Sequence, residues 1–137
     1  MHGLVVIAHG SRRQASNREV MDLGSRLQHS ASDRFQLVET AFLEIAKPSI
    51  TEAIESCIQR GATCVTVVPY FLSAGRHVVE DIPGIVEPVA QKYKAITIHV
   101  TEHIGASDSM EELILESASC LSSKPANSGH QHAAIQR

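Results

Sequence analysis

The sequence predicts an α/β fold with a four-stranded parallel sheet in the order 2-1-3-4 and helices on both faces. Short apolar, β-prone runs alternate four times with segments of helical spacing. The first and third runs are continuously apolar, as strands covered on both faces are, whereas the second and fourth contain polar residues. The two apolar strands therefore take the centre and the two mixed strands take the edges, joined by right-handed βαβ connections.

Each strand is predicted from its composition. Residues 4–8 form an uninterrupted apolar run, and residues 64–68 form a run rich in β-branched side chains that Pro69 ends. Residues 35–45 mix apolar with polar side chains, and residues 95–100 alternate, as edge strands do. The resulting order resembles the flavodoxin-like arrangement, in which ligands bind at the carboxyl ends of the strands.

The helices follow the strands. Residues 13–29 place apolar side chains on one face, and a second helix begins after Ser49, which forms a capping-box pattern with Glu52 and is followed by the stop signal Gly61. A third helix, interrupted by prolines, ends near Lys92, and a last helix carries Met110 and the apolar residues after it. Residues 1–121 therefore form one domain, and residues 122–137, rich in Ser, Asn, Gln and His, are predicted to be a disordered tail.

Composition excludes several classes of function. Twelve Lys and Arg against 15 Asp and Glu give a net charge of −3, and aromatic residues make up 4% of the 137 residues, so no basic stripe or base-stacking platform for nucleic acid is expected. No apolar run is long enough to span a membrane, and a strand begins too early for a signal peptide. We expect a cytoplasmic protein whose three cysteines are reduced core thiols.

Polar side chains collect where the strands end. His9 follows the first strand, Glu44 interrupts the apolar end of the second, and His77 follows the third. One histidine at a strand end is more often structural than functional. Because the carboxyl ends of parallel strands share one edge of the sheet, convergence of all three favours a site.

These residue types indicate metal or proton chemistry on an anionic substrate. Two imidazoles and a carboxylate bind Fe²⁺, Co²⁺ or Ni²⁺ while leaving positions open for exchange, and a neutral imidazole also accepts a proton near neutral pH. Arg12, Arg13 and Arg76 suit carboxylate or phosphate groups, as does the amino end of the helix after Ser11.

Three motifs occur in order and carry a resemblance to a known family. They are Ala8-His9-Gly10-Ser11-Arg12-Arg13, Phe42-Leu43-Glu44-Ile45-Ala46-Lys47-Pro48-Ser49, and Pro69-Tyr70-Phe71-Leu72-Ser73-Ala74-Gly75-Arg76-His77 followed by Asp81-Ile82-Pro83. Over roughly residues 3–118 the chain resembles the sirohydrochlorin chelatases of the CbiX/SirB type, class II tetrapyrrole chelatases that need no ATP.

The resemblance implies insertion of a divalent metal (Co²⁺, Fe²⁺ or Ni²⁺) into sirohydrochlorin, toward siroheme or cobalamin. It implies that His9, His77 and Glu44 are catalytic, with His9 accepting a proton and binding metal and His77 serving as the second metal ligand. The implied substrate-binding residues are Ser11, Arg12, Arg13, Glu44, Phe71, Leu72, Ser73, Ala74, Gly75 and Arg76. The metal is a substrate and no tightly bound cofactor is expected. The chain resembles the short, single-unit form, which implies a homodimer.

Two other functions remain open from the residues alone. A non-catalytic metal-delivery protein would explain His9 and His77 but leaves the arginines and Glu44 without a role. A phosphatase-like hydrolase would use the His9-Gly10 pair, but Ala8 occupies the position where histidine phosphatases place an arginine.

Overall fold

The structure, a computed structural model, describes residues 1–31, 33–73, 75–76 and 80–120. Strands and helices alternate along this part of the chain as the sequence predicts. The elements are β1 (His2–Ala8), α1 (Gln14–Ser30), β2 (Leu37–Phe42), α2 (Ile50–Gln59), β3 (Cys64–Pro69), α3 (Ile82–Lys92), β4 (Thr97–Val100), a short 3₁₀ turn (Ile104–Ala106) and α4 (Met110–Ala118).

The sheet is parallel throughout and has the order β2-β1-β3-β4, which confirms the predicted topology. Strand β1 lies between β2 and β3, and its register pairs Val5 with Glu39 on one side and with Val67 on the other. All the residues of β1 after His2 are buried, as expected of a central strand covered on both faces.

Helices cover both faces. On one face, Val5 and Val67 belong to a buried apolar cluster with Ile54 of α2 and Val86 of α3. On the other, α1 approaches β2 at Gly24, where an added Cβ would collide with the Thr40 side chain. This close helix–sheet approach explains why a glycine interrupts the apolar face of α1.

The predicted capping box of α2 is present. The Ser49 hydroxyl accepts from the Glu52 backbone N–H at 3.1 Å, and the Glu52 carboxylate accepts from the Ser49 N–H at 2.9 Å. These hydrogen bonds lower the pKa of Glu52. Just past the helix, Gly61 adopts a φ of 107°, the left-handed conformation that favours glycine at this position.

Both edge strands are shorter than predicted. Strand β2 ends at Phe42 rather than at residue 45, because the backbone turns where the Ala46 N–H donates to the Glu44 carbonyl. Strand β4 begins at Thr97 rather than at residue 95, because the preceding residues form a turn that the Ile96 N–H closes on the Tyr93 carbonyl.

Not all three cysteines lie in the core, although the sequence predicted that they would. Cys57 is fully buried, and burial raises its pKa to about 11. Cys64 is half-buried and Cys120 is exposed, so the prediction of three core thiols is wrong for these two. Cys64 lies on the half-exposed face of β3, and Cys120 follows the end of α4.

The chain divides into two compact units, Met1–Ser107 with the sheet and a second unit from Asp108 onward. In the second unit, α4 has no buried residue, and Leu113, Ile114 and Leu115 are more than half exposed. The predicted domain boundary at residue 121 stays a prediction, and the tail of residues 122–137 lies outside the described residues. Among the helices in the described ranges, none is long and apolar enough to cross a membrane.

Candidate functional site

Two of the predicted site residues, His9 and Glu44, come together at the carboxyl edge of the sheet, where β1 and β2 end side by side. Past the strands, the Leu43 N–H donates to the Ala8 carbonyl at 2.9 Å and the Glu44 N–H donates to the His9 carbonyl at 3.1 Å. This continued pairing brings His9 Nε2 within 3.0 Å of Glu44 Oε2, with the two side chains 50% and 57% exposed. The two residues that the sequence singled out therefore contact each other in an open position.

Two unusual backbone conformations hold this contact. Gly10 has a φ of 98°, and a Cβ at this position would collide with the Glu44 carbonyl oxygen. Ile45 has a φ of 72°, rare for a β-branched residue, and its side chain is 60% exposed. Strain of this kind is concentrated at functional sites. Ile45 could not be predicted as a site residue from the sequence, because side-chain pattern does not report backbone strain.

The partner of His9 fixes its tautomer. An ionised carboxylate only accepts hydrogen bonds, so with Glu44 ionised and His9 neutral the proton lies on Nε2 and the lone pair on Nδ1. The Phe71 ring meets the His9 ring edge-on, with 6.3 Å between centroids. The imidazole is thus oriented from two sides, by a carboxylate and by an aromatic ring.

A cavity of about 390 Å³ opens beside the pair. It is lined by His9, Leu43, Glu44, Glu80, Asp81, Gly84 and Ile85. Glu80 and Asp81 add two carboxylates that the sequence analysis did not assign to the site. The available signal was the Asp81-Ile82-Pro83 motif, because Asp81 directly precedes α3 and Glu80 is its neighbour in the chain.

The loop after β1 is held by its own polar groups. The Asn17 side chain accepts from the Ser11 N–H at 2.9 Å and donates to the Ser11 carbonyl at 2.7 Å. The Ser11 hydroxyl accepts from the Arg13 N–H at 3.0 Å. Ser11, expected at the substrate, therefore shapes the loop, and Asn17 is a positioning residue that pattern reasoning missed.

The predicted arginines stand outside the cavity lining. Arg12, Arg13 and Arg76 are exposed, and within the part of the chain that the structure describes no ion pair holds them. Anionic groups can reach all three side chains from solvent. Their assignment as substrate-binding residues stays a prediction.

The segment after β3 is exposed where it is described. Phe71 is half-buried, while Leu72 is 72% exposed and Ser73, Gly75 and Arg76 are exposed. The other two predicted residues of this segment, Ala74 and His77, lie outside the described residues. Among the residues that are described, no group of three or more His, Cys, Asp or Glu is arranged to hold a metal ion.

The chain matches known proteins along most of its length. The sequence profile of the CbiX family matches residues 3–120. The chain is 33% identical over 118 residues to the sirohydrochlorin cobaltochelatase of Sulfolobus acidocaldarius, covering 86% of this chain and 90% of that protein. It is 32% identical over 112 residues to the chloroplastic sirohydrochlorin ferrochelatase of Arabidopsis thaliana, covering 82% of this chain and 49% of that protein.

Solved structures with similar folds also include a short chain, which this chain covers almost entirely, and a long chain, of which it covers about half. The CbiX protein of Marinobacter aquaeolei VT8 superposes with a TM-score of 0.67 at 28% identity, over 86% of this chain and 94% of that one. The sirohydrochlorin chelatase SirB of Bacillus subtilis, solved with cobalt, superposes with a TM-score of 0.73 at 26% identity, over 84% of this chain and 48% of that one. The chain thus spans about half of the long relatives and nearly all of the short ones, and it belongs to the CbiX family.

Proposed function

We propose that this chain inserts a divalent metal, Co²⁺ or Fe²⁺ and by extension Ni²⁺, into sirohydrochlorin without ATP. The observation that carries the proposal is the His9–Glu44 contact in an open cavity at the carboxyl edge of the sheet. The chain shares its family with proteins named sirohydrochlorin cobaltochelatase and ferrochelatase, and the contact lies in the segments that carry the resemblance.

The His9–Glu44 pair suits both halves of metallation. Pyrrole protons must leave the ring as the metal enters, and a neutral imidazole near neutral pH accepts one of them. The separation of 3.0 Å between Nε2 and Oε2 is also that of two adjacent ligands around an octahedral ion with bonds of about 2.1 Å. If Nδ1 takes up a pyrrole proton while the Nε2 proton passes to solvent, His9 stays neutral and Nε2 and Oε2 would be free to hold the metal.

Acidic side chains line the cavity, whereas basic side chains lie outside it. Glu44, Glu80 and Asp81 line the cavity, and such a concentration of carboxylates attracts a divalent cation. Arg12 and Arg76 are exposed outside that lining, where they suit the carboxylate groups of the macrocycle. In this proposal the metal approaches through the acidic cavity and the substrate rests on the basic and apolar surroundings.

Exposed apolar side chains suit the flat part of the substrate. Ile45, Tyr70 and Leu72 are 60%, 42% and 72% exposed, and all three follow the carboxyl ends of β2 or β3. Exposed apolar side chains at the edge of a parallel sheet where ligands bind suit an apolar ring face. We assign Phe71 to Arg76 to contacts with the macrocycle and His77 to the second metal ligand.

A second copy of the chain completes the proposed enzyme. The long relatives contain about twice the length that this chain covers, whereas the short ones are matched almost entirely. The exposed apolar residues of α4 offer a surface for self-association. Light scattering should give the mass of a dimer, and Ile114→Glu should shift it toward the monomer. A monomeric wild-type chain with full activity would contradict the homodimer.

The decisive test is an anaerobic absorbance time course with sirohydrochlorin and each of Co²⁺, Fe²⁺ and Ni²⁺. The wild type should convert the spectrum faster than the no-enzyme control, and the relative rates rank the metals. His99→Ala, at an exposed histidine in β4, is the matched control and should keep the wild-type rate, whereas His9→Ala should lose it.

The same experiment distinguishes the alternatives. A metal-delivery protein would bind metal but show no spectral change with sirohydrochlorin alone and no catalysed insertion. A phosphatase-like hydrolase would act on phosphate esters and ignore the macrocycle. The cytoplasmic location and the absence of a tightly bound cofactor remain parts of this proposal, and one relative is named chloroplastic.

A further inference from the structure

A second pair of reactive side chains lies at the opposite edge of the sheet. His2 opens β1 and Cys64 opens β3, and the two residues are partners in the strand register. Their side chains meet, with 3.4 Å between Cys64 Sγ and His2 Nε2. The same Nε2 lies 2.8 Å from the Thr66 hydroxyl. None of these residues has a part in the proposed metallation.

The imidazole is held in place against the thiol. Its ring packs on Phe35 with 4.5 Å between centroids, and the His2 backbone N–H donates to the Gln36 side-chain oxygen at 2.8 Å. His2 and Cys64 are both half-buried, so the sulfur lies beside its base within reach of small reagents. An imidazole held against the thiol is placed to take its proton as the sulfur attacks, and the thiolate is the nucleophile.

The proton transfer suits the contacts around Nε2. In the neutral tautomer that carries its proton on Nδ1, the single Nε2 lone pair faces two hydrogen-bond donors, the Cys64 S–H and the Thr66 hydroxyl. After transfer, Nε2 carries the proton and faces two acceptors, the thiolate sulfur and the hydroxyl oxygen. The single Nε2–H then lies between two acceptors, as the lone pair lay between two donors, so the same two contacts accommodate Nε2 before and after the transfer.

The other two cysteines provide an internal comparison. Cys57 is fully buried, and its pKa is raised to about 11, so its thiolate is scarce near neutral pH. Cys120 is exposed and belongs to the second unit. By exposure alone, Cys120 should be the most reactive thiol of the chain.

We propose that Cys64 is a site of reversible thiol modification, activated by His2, that takes low-molecular-weight disulfides. The Cys64 thiol gives its proton to His2 Nε2, and the thiolate attacks one sulfur of the disulfide. A bond forms between Cys64 Sγ and that sulfur, the original S–S bond breaks, and the departing thiolate takes the proton from His2. Cys64 is oxidised, the leaving sulfur is reduced, and excess thiol reverses the exchange.

The test follows each cysteine by peptide mass spectrometry. The full chain is treated near neutral pH with iodoacetamide or with oxidised glutathione. In the wild type, Cys64 should react faster than Cys120 although it is less exposed. His2→Phe keeps an aromatic ring beside Phe35 but removes the base, and the Cys64 rate should fall about fivefold or more.

The controls separate activation from exposure. His99 lies beside Thr66 in the register of β3 and β4, so His99→Ala removes a neighbouring imidazole on the same sheet and should leave the Cys64 rate unchanged. Circular dichroism reports whether His2→Phe is folded, and His2→Asn is a second variant without an imidazole. A wild-type Cys64 that reacts more slowly than Cys120, or a folded His2 variant with an unchanged Cys64 rate, would overturn the proposal.

Discussion

The two ends of β1 carry the same residue type in contrasting surroundings. At the amino end, the half-buried His2 packs on Phe35 and contacts Thr66 and Cys64. At the carboxyl end, His9 is half exposed and faces the Glu44 carboxylate beside a cavity. One histidine is embedded among neighbouring strands and the other is presented to solvent.

The difference follows from how parallel strands are connected. At the amino end the incoming chain closes tightly, since the Gln36 N–H donates to the His2 carbonyl and the Thr63 N–H donates to the Met1 carbonyl. At the carboxyl end the chain leaves for the helices through longer loops, which diverge and leave a crevice. Position along the strand, more than residue type, decides which histidine can meet a large substrate.

The largest effects are expected when His9 and His2 are replaced one at a time. His9→Ala should lower the metal insertion rate at least about a hundredfold, because it removes the proton acceptor. Its free energy of unfolding should stay within about 0.5 kcal/mol of the wild-type value, because the side chain is half exposed. His2→Ala should keep the insertion rate, but its free energy of unfolding should fall by about 1–2 kcal/mol because the ring contact and the hydrogen bond are lost. Metal insertion rates and urea unfolding midpoints measure the two effects. If His2→Ala lost activity and His9→Ala lost stability, the contrast between the two histidines would be wrong.

The second effect concerns the backbone that presents Glu44 to His9. Gly10→Ala should lower the free energy of unfolding by about 2–4 kcal/mol, because the residue has a positive φ and its Cβ would collide with the Glu44 carbonyl. Gly84→Ala, in α3 with open space around its Cβ position, is the matched control and should be neutral or stabilising. Equal urea midpoints for the two variants would show that Gly10 is not under this constraint.

A smaller effect concerns Ile45. Ile45→Gly removes the strain of a β-branched side chain at a φ of 72°, so stability should stay the same or rise by up to about 1 kcal/mol. The KM for sirohydrochlorin should rise severalfold, because an exposed apolar contact is lost. Steady-state kinetics and thermal unfolding measure both. A variant less stable than the wild type would mean that the Ile45 side chain supports the fold instead.

The smallest effect tests an ion pair that belongs to neither end of β1. Glu55 accepts hydrogen bonds from Lys92 Nζ and the Tyr93 hydroxyl, each at 3.0 Å, and these bonds lower the pKa of Glu55. The unfolded chain then binds the proton more tightly, so this stabilisation is present above the ordinary carboxyl pKa and is lost as pH falls through the lowered one. Melting temperatures between about pH 6 and pH 3 should fall less in Glu55→Gln than in the wild type. Glu87→Gln is the matched control, and identical acid responses in all three proteins would contradict the assignment.

Much of the fold follows from local pattern. The continuous apolar run of β1 and the β-branched run of β3 predicted central strands, and the structure has both in the centre. The Ser49 and Glu52 capping box and the stop at Gly61 were also predictable, because their physics involves residues a few positions apart. Boundaries of the edge strands were not predictable, since turns that depend on individual backbone hydrogen bonds set them.

The sequence by itself determined that His9 and Glu44 reach one edge of a parallel sheet, because hydrophobic pattern dictates strand order and strand order dictates which ends are neighbours. Only the tertiary structure decided that the two side chains touch, that Ile45 bears the strained turn beside them, and that Glu80 and Asp81 line the same cavity. It also decided that His2 meets Cys64 rather than solvent. Such contacts depend on distances between residues far apart in the chain, and residue spacing does not encode those distances.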